Sequence, residues 1–245
     1  MTISTTLVAM TISPASFDRD EPFERVRSNL DAVRRRIAST GRDLDDIRIV
    51  AVTKTFPIDF VRAADQVGLT AVGENYVDEL CTKRAEFDEG LVTWHYLGAL
   101  QTNKIHRIVT CADVICGVSR MKELEKIASY SEAPSLYVQV DFTGSDGRNG
   151  ADPSEVESLV ARARFLGLEV TGLMTVAPPD LEGARKAFAA TRGLADDVGL
   201  PERSMGMSDD LEIACEQGTT EVRIGRALFG ARDSSRALTY HGDGR

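Results

Sequence analysis

The chain is predicted to be an α/β protein: a single (β/α)8 TIM-type barrel with an extra N-terminal helix. Three observations carry this. Short apolar or β-branched runs alternate with amphipathic stretches along the whole length. There are eight such runs. Strands separated by stretches of helical length need parallel crossovers, and eight of these close into a barrel. A doubly wound open sheet is the alternative, but eight units are many for it. No G-x-G-x-x-G follows the first strand, and 144-GSDGRNG-150 has the wrong spacing and follows the fifth.

The elements follow in order. Residues 21–39 place Phe23, Val26, Leu30, Val33 and Ile37 at spacings of three and four, an amphipathic helix stopped by Thr40 and Gly41. IRIVAVTK (47–54) reads as a strand buried on both faces, and Pro57 opens a helix that ends at Gly68. LTAVGE (69–74) precedes a helix at 76–87, and TWHYLG (93–98) one at 103–111. DVICGV leads to a helix at 121–130. SLYVQVD (135–141) leads through a glycine-rich loop to SEVESLVARARFLG. LEVTGLMTV is followed by a helix at 181–198, RSMGMS by DDLEIACEQG, and TEVRIGRALFG closes the series. The expected division is an extension at 1–17, the barrel at 18–233 and a tail at 234–245.

A chain of 245 residues buries roughly 70–75% of its unfolded surface, enough to stand without metal or disulfide. Lys and Arg number 29 against 38 Asp and Glu, a net charge of −9, which argues against nucleic acid or an anionic membrane as partner. Cys81, Cys111, Cys116 and Cys215 form no C-x-x-C pair and are expected to be separate buried thiols of a reducing compartment. With no signal peptide and no transmembrane run, a cytoplasmic protein is expected. Monomer is the default, since no long apolar stripe asks for a partner.

In a barrel the strand ends supply the working face. That list holds Lys54, Glu74, Asn75, His95, Gly98, Gln139, Asp141, Met174, Thr175, the 204–208 loop and 223–225. Lys54 is the most informative. Desolvation at the end of an apolar strand lowers a lysine's pKa and frees its amine to attack an aldehyde as a Schiff base. Escape to solvent or pairing with a rim carboxylate is the open alternative. The loops after strands seven and eight are where a barrel commonly holds phosphate. SMGMSDD offers the Ser204 and Ser208 hydroxyls with Gly206, and RIGRALFG offers Gly225 flanked by basic residues. A phosphate and a Schiff-base lysine on one face point to pyridoxal 5′-phosphate (PLP). The open alternative for these loops is an ordinary glycine turn with a helix cap.

The histidines show no zinc spacing, and no metal is expected. His95 reads as a packed strand residue, Met205 and Met207 as core filling, and Arg34–Arg36 as a solvated helix face.

Six collinear blocks carry a resemblance: AVTKTFP, GENYVDEL, WHYLGALQTNK, GLMTVAP, SMGMSDDLEIA and VRIGRALFG. On these the chain resembles the pyridoxal phosphate homeostasis proteins, which look like the barrel of alanine racemase standing alone, the barrel of fold-type III PLP proteins. The resemblance implies PLP as cofactor, bound by Lys54 through a Schiff base. It implies phosphate contacts from Ser204, Gly206 and Gly225, Arg223 facing the pyridine nitrogen, and a pocket lined by Asn75 and Met174. Arg226 departs from the small hydroxyl residue usual there; its backbone N–H is still able to serve the phosphate.

Two functions are implied. One is reversible PLP binding for buffering or delivery, with PLP-dependent apo-enzymes as recipients. The other is a small racemase, with Tyr76 or His95 opposite Lys54. No catalytic residue is assigned. The chain ends soon after strand eight, with no room expected for a second domain, and this favours the first reading because racemisation needs two positioned acid/base groups.

Overall fold

The computed structural model describes residues 20–87, 91–144 and 147–231. The expected extension and tail, and His241, lie outside the described residues. Eight parallel strands close into one barrel in sequence order. They are β1 (Arg48–Val52), β2 (Ala71–Glu74), β3 (Thr93–Tyr96), β4 (Val114–Val118), β5 (Ser135–Val140), β6 (Val170–Thr175), β7 (Glu202–Ser204) and β8 (Glu221–Ile224). Closure is made by β8 against β1, with Val50 opposite Arg223 and Ala51 opposite Ile224.

Helix α1 (Asp20–Ser39) precedes the barrel. The crossovers carry α2 (Ile58–Gln66), α3 (Val77–Glu86), α4 (Ile105–Cys111), α5 (Met121–Ile127), α6 (Val156–Phe165), α7 (Leu181–Asp197) and α8 (Leu211–Glu216). The short α9 (Arg226–Phe229) follows β8.

Alternation along the strands divides the interior in two. Ile49, Ala51, Val72, Ile115, Leu136, Val138, Leu173, Val222 and Ile224 belong to the main core shared with the helices, including Val26, Leu30, Val33 and Ile37 of α1. Their neighbours Cys116, Tyr137 and Met174 form a separate cluster with Leu97, Val114 and Val176, inside the barrel. The helices are thus held by aliphatic burial, and the barrel lumen is left for a different set of side chains.

Three expectations are corrected. Cys81 and Cys111 are not separate thiols: they form a disulfide with Cα atoms 5.2 Å apart. The pairing joins α3 to α4, consecutive helices that the barrel lays side by side, so a separation of 30 residues becomes contact. Cys116 and Cys215 remain free and buried. The cytoplasmic expectation rested partly on four free thiols and loses that support; no described helix is long and apolar enough to cross a membrane.

Second, the 204–208 segment is not a strand with two core methionines. β7 ends at Ser204 and the chain turns at Gly206, φ 99°, where a Cβ would lie 2.4 Å from that of Ala214. Met205 is buried beside Phe188 and Ala214, but Met207 is 38% exposed. Third, Arg36 is not merely solvated. Its guanidinium donates to both Glu212 oxygens, at 2.6 and 2.7 Å, and to the Ser208 carbonyl at 2.9 Å, fastening α1 to α8 and the loop before it.

Candidate functional site

A cavity of about 630 Å³ opens at the C-terminal mouth of the barrel, and Lys54, Asn75, Met174, Ser208, Arg223, Gly225 and Arg226 line it. These residues come from the ends of β1, β2, β6 and β8 and from the loop after β7, the face on which barrel sites lie. The fold therefore gathers most of the sequence-derived set at one place.

Lys54 lies just beyond β1 and is half-buried. Both of its neighbours are clamped. Thr53 donates its hydroxyl to Glu74 at 2.6 Å, and its carbonyl accepts from Lys83 Nζ at 2.8 Å. Thr55 donates its backbone N–H to Glu79 Oε1 at 2.6 Å. Lys83 bridges Glu74 and Glu79, 2.7 Å from each. All three charged side chains are buried. Burial pushes the Glu74 carboxyl up to about 7, against the opposing pull of Lys83.

Thr55 has φ 66°, a left-handed conformation unusual for a β-branched residue. Glu74 is expected on the working face from its strand-end position, but its side chain turns into this network. Glu79 and Lys83 were missed, although their i, i+4 spacing on α3 was a usable signal.

Asn75 carries a buried side-chain oxygen with no hydrogen-bond partner, on the cavity wall. Gly98 lets the end of β3 nest against it: a Cβ there would lie 2.2 Å from the Asn75 carbonyl oxygen.

Arg223 is buried and locked in place. Nη1 donates to the Ser204 carbonyl at 2.6 Å and its hydroxyl at 2.8 Å, and Nη2 donates to the Thr175 carbonyl at 2.7 Å. Desolvation lowers its pKa, yet a guanidinium starts so high that it stays charged. Ser204 therefore faces Arg223. Neither it nor Gly206 lines the cavity, because the strand ends before the loop reaches the mouth.

The rest of the rim is built by the loop after β7 and by α9, for which Gly225 is the N-cap. Arg226 pairs with the Asp209 carboxylate. Ser208 Oγ accepts from the Ala227 N–H at 3.2 Å. Phe56, Leu97, Val176, Met207 and Asp209 also line the cavity and were not singled out as cofactor contacts; their positions after strand ends were the available signal.

The other strand-end residues do not join the cavity. Gln139 donates to the Asn149 carbonyl, and Asp141 accepts from Thr143. Thr175 serves Arg223 through its carbonyl. Tyr76, just before α3, is 44% exposed and does not line the cavity. His95 is buried inside the barrel between Cys116 and Glu221, below the mouth.

An amine, a fixed guanidinium, an unsatisfied amide oxygen and a hydroxyl-and-arginine rim converge on one apolar-walled chamber. That arrangement defines a (β/α)8 barrel protein with a lysine-bearing small-molecule site. The chain belongs to the alanine racemase N-terminal domain family, whose model matches residues 24–233.

It is 39% identical over 210 residues to the pyridoxal phosphate homeostasis protein of Pseudomonas aeruginosa, covering 82% of this chain and 91% of that one. It is 34% identical over 230 residues to the protein of the same name from Escherichia coli K12, covering 86% and 98%. Among solved structures, PipY of Synechococcus elongatus with PLP bound is similar with a TM-score of 0.75 and 30% identity, over 84% of this chain and all of that one. Alanine racemase of Corynebacterium glutamicum shares the fold, with a TM-score of 0.67 at 18% identity, over 90% of this chain and 64% of that one.

Proposed function

We propose that this protein binds pyridoxal 5′-phosphate reversibly and serves its homeostasis inside the cell, buffering the cofactor and delivering it to PLP-dependent apo-enzymes. The observation that carries this reading is the placement of Lys54 and the immobilised Arg223 on the wall of one cavity. The family relationship and the PLP in the PipY structure support it.

The residues present fit the cofactor. Bound PLP supplies an aldehyde that lysine amines capture and a ring that withdraws electrons. Lys54 is the capturing amine. Arg223 would hold the ring nitrogen and, being permanently protonated, would donate to it without passing on a proton. Asn75, with its buried unpartnered oxygen, and Met174 line the cavity and would flank the ring. Gly225, Arg226 and Ser208 receive the phosphate. Ser204 and Gly206 act indirectly, the first by holding Arg223 and the second by turning the loop.

A racemase needs a second acid/base group opposite Lys54. The two side chains proposed for it, Tyr76 and His95, lie away from the cavity wall. Storage and delivery is therefore the reading we adopt, with a monomer as the working unit.

Titrating the full chain with PLP and following visible absorption tests this. Saturation at one cofactor per chain, with amino-acid racemisation far below about 1 per second, is expected. A spectrum identical to that of free PLP would overturn the binding; racemisation at or above that rate would overturn the storage reading.

A further inference from the structure

Deep in the barrel lumen, below the cavity, three side chains from β3, β4 and β8 converge. His95, Cys116 and Glu221 each bring one ligand atom within 4.8 Å of the others, and all are buried. His95 Nδ1 lies 3.8 Å from Cys116 Sγ and 3.7 Å from Glu221 Oε2. Bonds of normal length to a tetrahedral zinc ion would set these separations at about 3.6 and about 3.4 Å. The two edges that meet at His95 are thus within a few tenths of an ångström of a zinc coordination tetrahedron before any ion is added.

We infer that His95, Cys116 and Glu221 form a binding site for a divalent zinc-class metal ion, distinct from the lysine-bearing cavity. Four features support it. Glu221 Oε1 is buried with no hydrogen-bond partner, while Oε2 is met by Arg48 at 3.2 Å and Tyr137 at 3.4 Å. An enclosed carboxylate oxygen without a partner is costly, and a metal held by both Glu221 oxygens would satisfy Oε1 while keeping Oε2 toward His95.

The imidazole is oriented as a ligand is. Its Nε2 lies 3.3 Å from the Thr93 hydroxyl, so a proton held there leaves the Nδ1 lone pair facing Cys116 and Glu221.

The donors are one nitrogen, one sulfur and one oxygen, a set that suits zinc rather than magnesium or calcium. Binding exchanges the Cys116 thiol proton for the metal, and the proton leaves to solvent. Thiolate and carboxylate then balance the two metal charges, and Arg48 keeps Glu202 as a counter-charge at 3.5 Å.

Finally, there is an approach. A second cavity, of about 390 Å³, opens at the opposite end of the barrel and reaches His95 past Arg48, Thr93 and Glu202. A water entering this way would complete four-fold coordination. The site is not legible along the chain, because its ligands are separated by 21 and 105 positions and only the barrel unites them.

The test uses the full chain with its disulfide intact, stripped by chelator and titrated with cobalt(II), then zinc(II). One cobalt per chain is expected, with a thiolate-to-metal charge-transfer band that zinc abolishes. Cys116→Ser should lose the band and weaken zinc binding at least 100-fold. Thr93→Val, which removes only the group behind His95, should weaken it about tenfold. Cys215→Ser should change nothing. Absence of the band from the wild-type chain, or its survival in Cys116→Ser, overturns the proposal. The wild-type spectrum decides even if that variant fails to fold.

Discussion

Glu79 on α3 accepts the backbone N–H of Thr55 at 2.6 Å, so a buried carboxylate fixes the residue that follows Lys54. The same oxygen also takes a hydrogen bond from Lys83, whose ammonium holds the Thr53 carbonyl on the other side. The chain on both sides of the lysine is thereby anchored to a neighbouring helix. Glu79→Ala should leave Lys83 half-paired and Thr55 N–H without its acceptor, costing about 3 kcal/mol. Urea denaturation measures that loss, and PLP titration should show weaker binding as the Lys54 segment loosens.

Thr55 makes the opposite prediction. Its φ of 66° and its buried hydroxyl without a partner both work against stability. Thr55→Gly should relieve strain worth about 1–3 kcal/mol and lose somewhat less through unfolded-chain entropy. A net gain of about 1 kcal/mol in denaturant is expected. A loss would mean that the turn is not strained.

The clamp also predicts a pH dependence. Burial raises the Glu74 carboxyl from its ordinary 4.5 to about 7. A carboxyl with a higher pKa in the folded chain takes up a proton on folding between the two values. Its contribution is therefore fully present below about 4.5 and lost as pH rises through about 7. Thermal midpoints of wild type and Glu74→Gln should diverge over that range, the wild type falling relative to the variant. Parallel curves would remove Glu74 as the titrating group.

Much of this was legible in the sequence, and the rest was hidden for physical reasons. Hydrophobic alternation exposed all eight strands, and strand ends exposed Lys54, Asn75, Met174, Arg223 and Gly225, because a barrel maps chain position onto one face. Side-chain direction was not legible. Glu74 and Ser204 sit at strand ends too, yet one turns to Lys83 and the other to Arg223. Contacts between helices were equally invisible: nothing local to Cys81 or Arg36 announces Cys111 or Glu212.

The Arg36 contact carries its own prediction. Its bonds to Glu212 and to the Ser208 carbonyl tie α1 to the rim of the cavity. Both partners are about a third exposed or more, so Arg36→Ala should cost only about 1 kcal/mol of stability. PLP affinity should fall several-fold all the same, since the rim loop is released. Unchanged affinity in the same titration would show that the loop holds its shape without α1.

The central claim is that Lys54 is the amine that captures the cofactor. Reducing the PLP-loaded chain with borohydride and mapping the labelled peptide tests it most directly. Label on Lys54, abolished in a folded Lys54→Ala variant, is the predicted result. Label on Lys83, Lys104 or another lysine, persisting in that variant, would contradict the account.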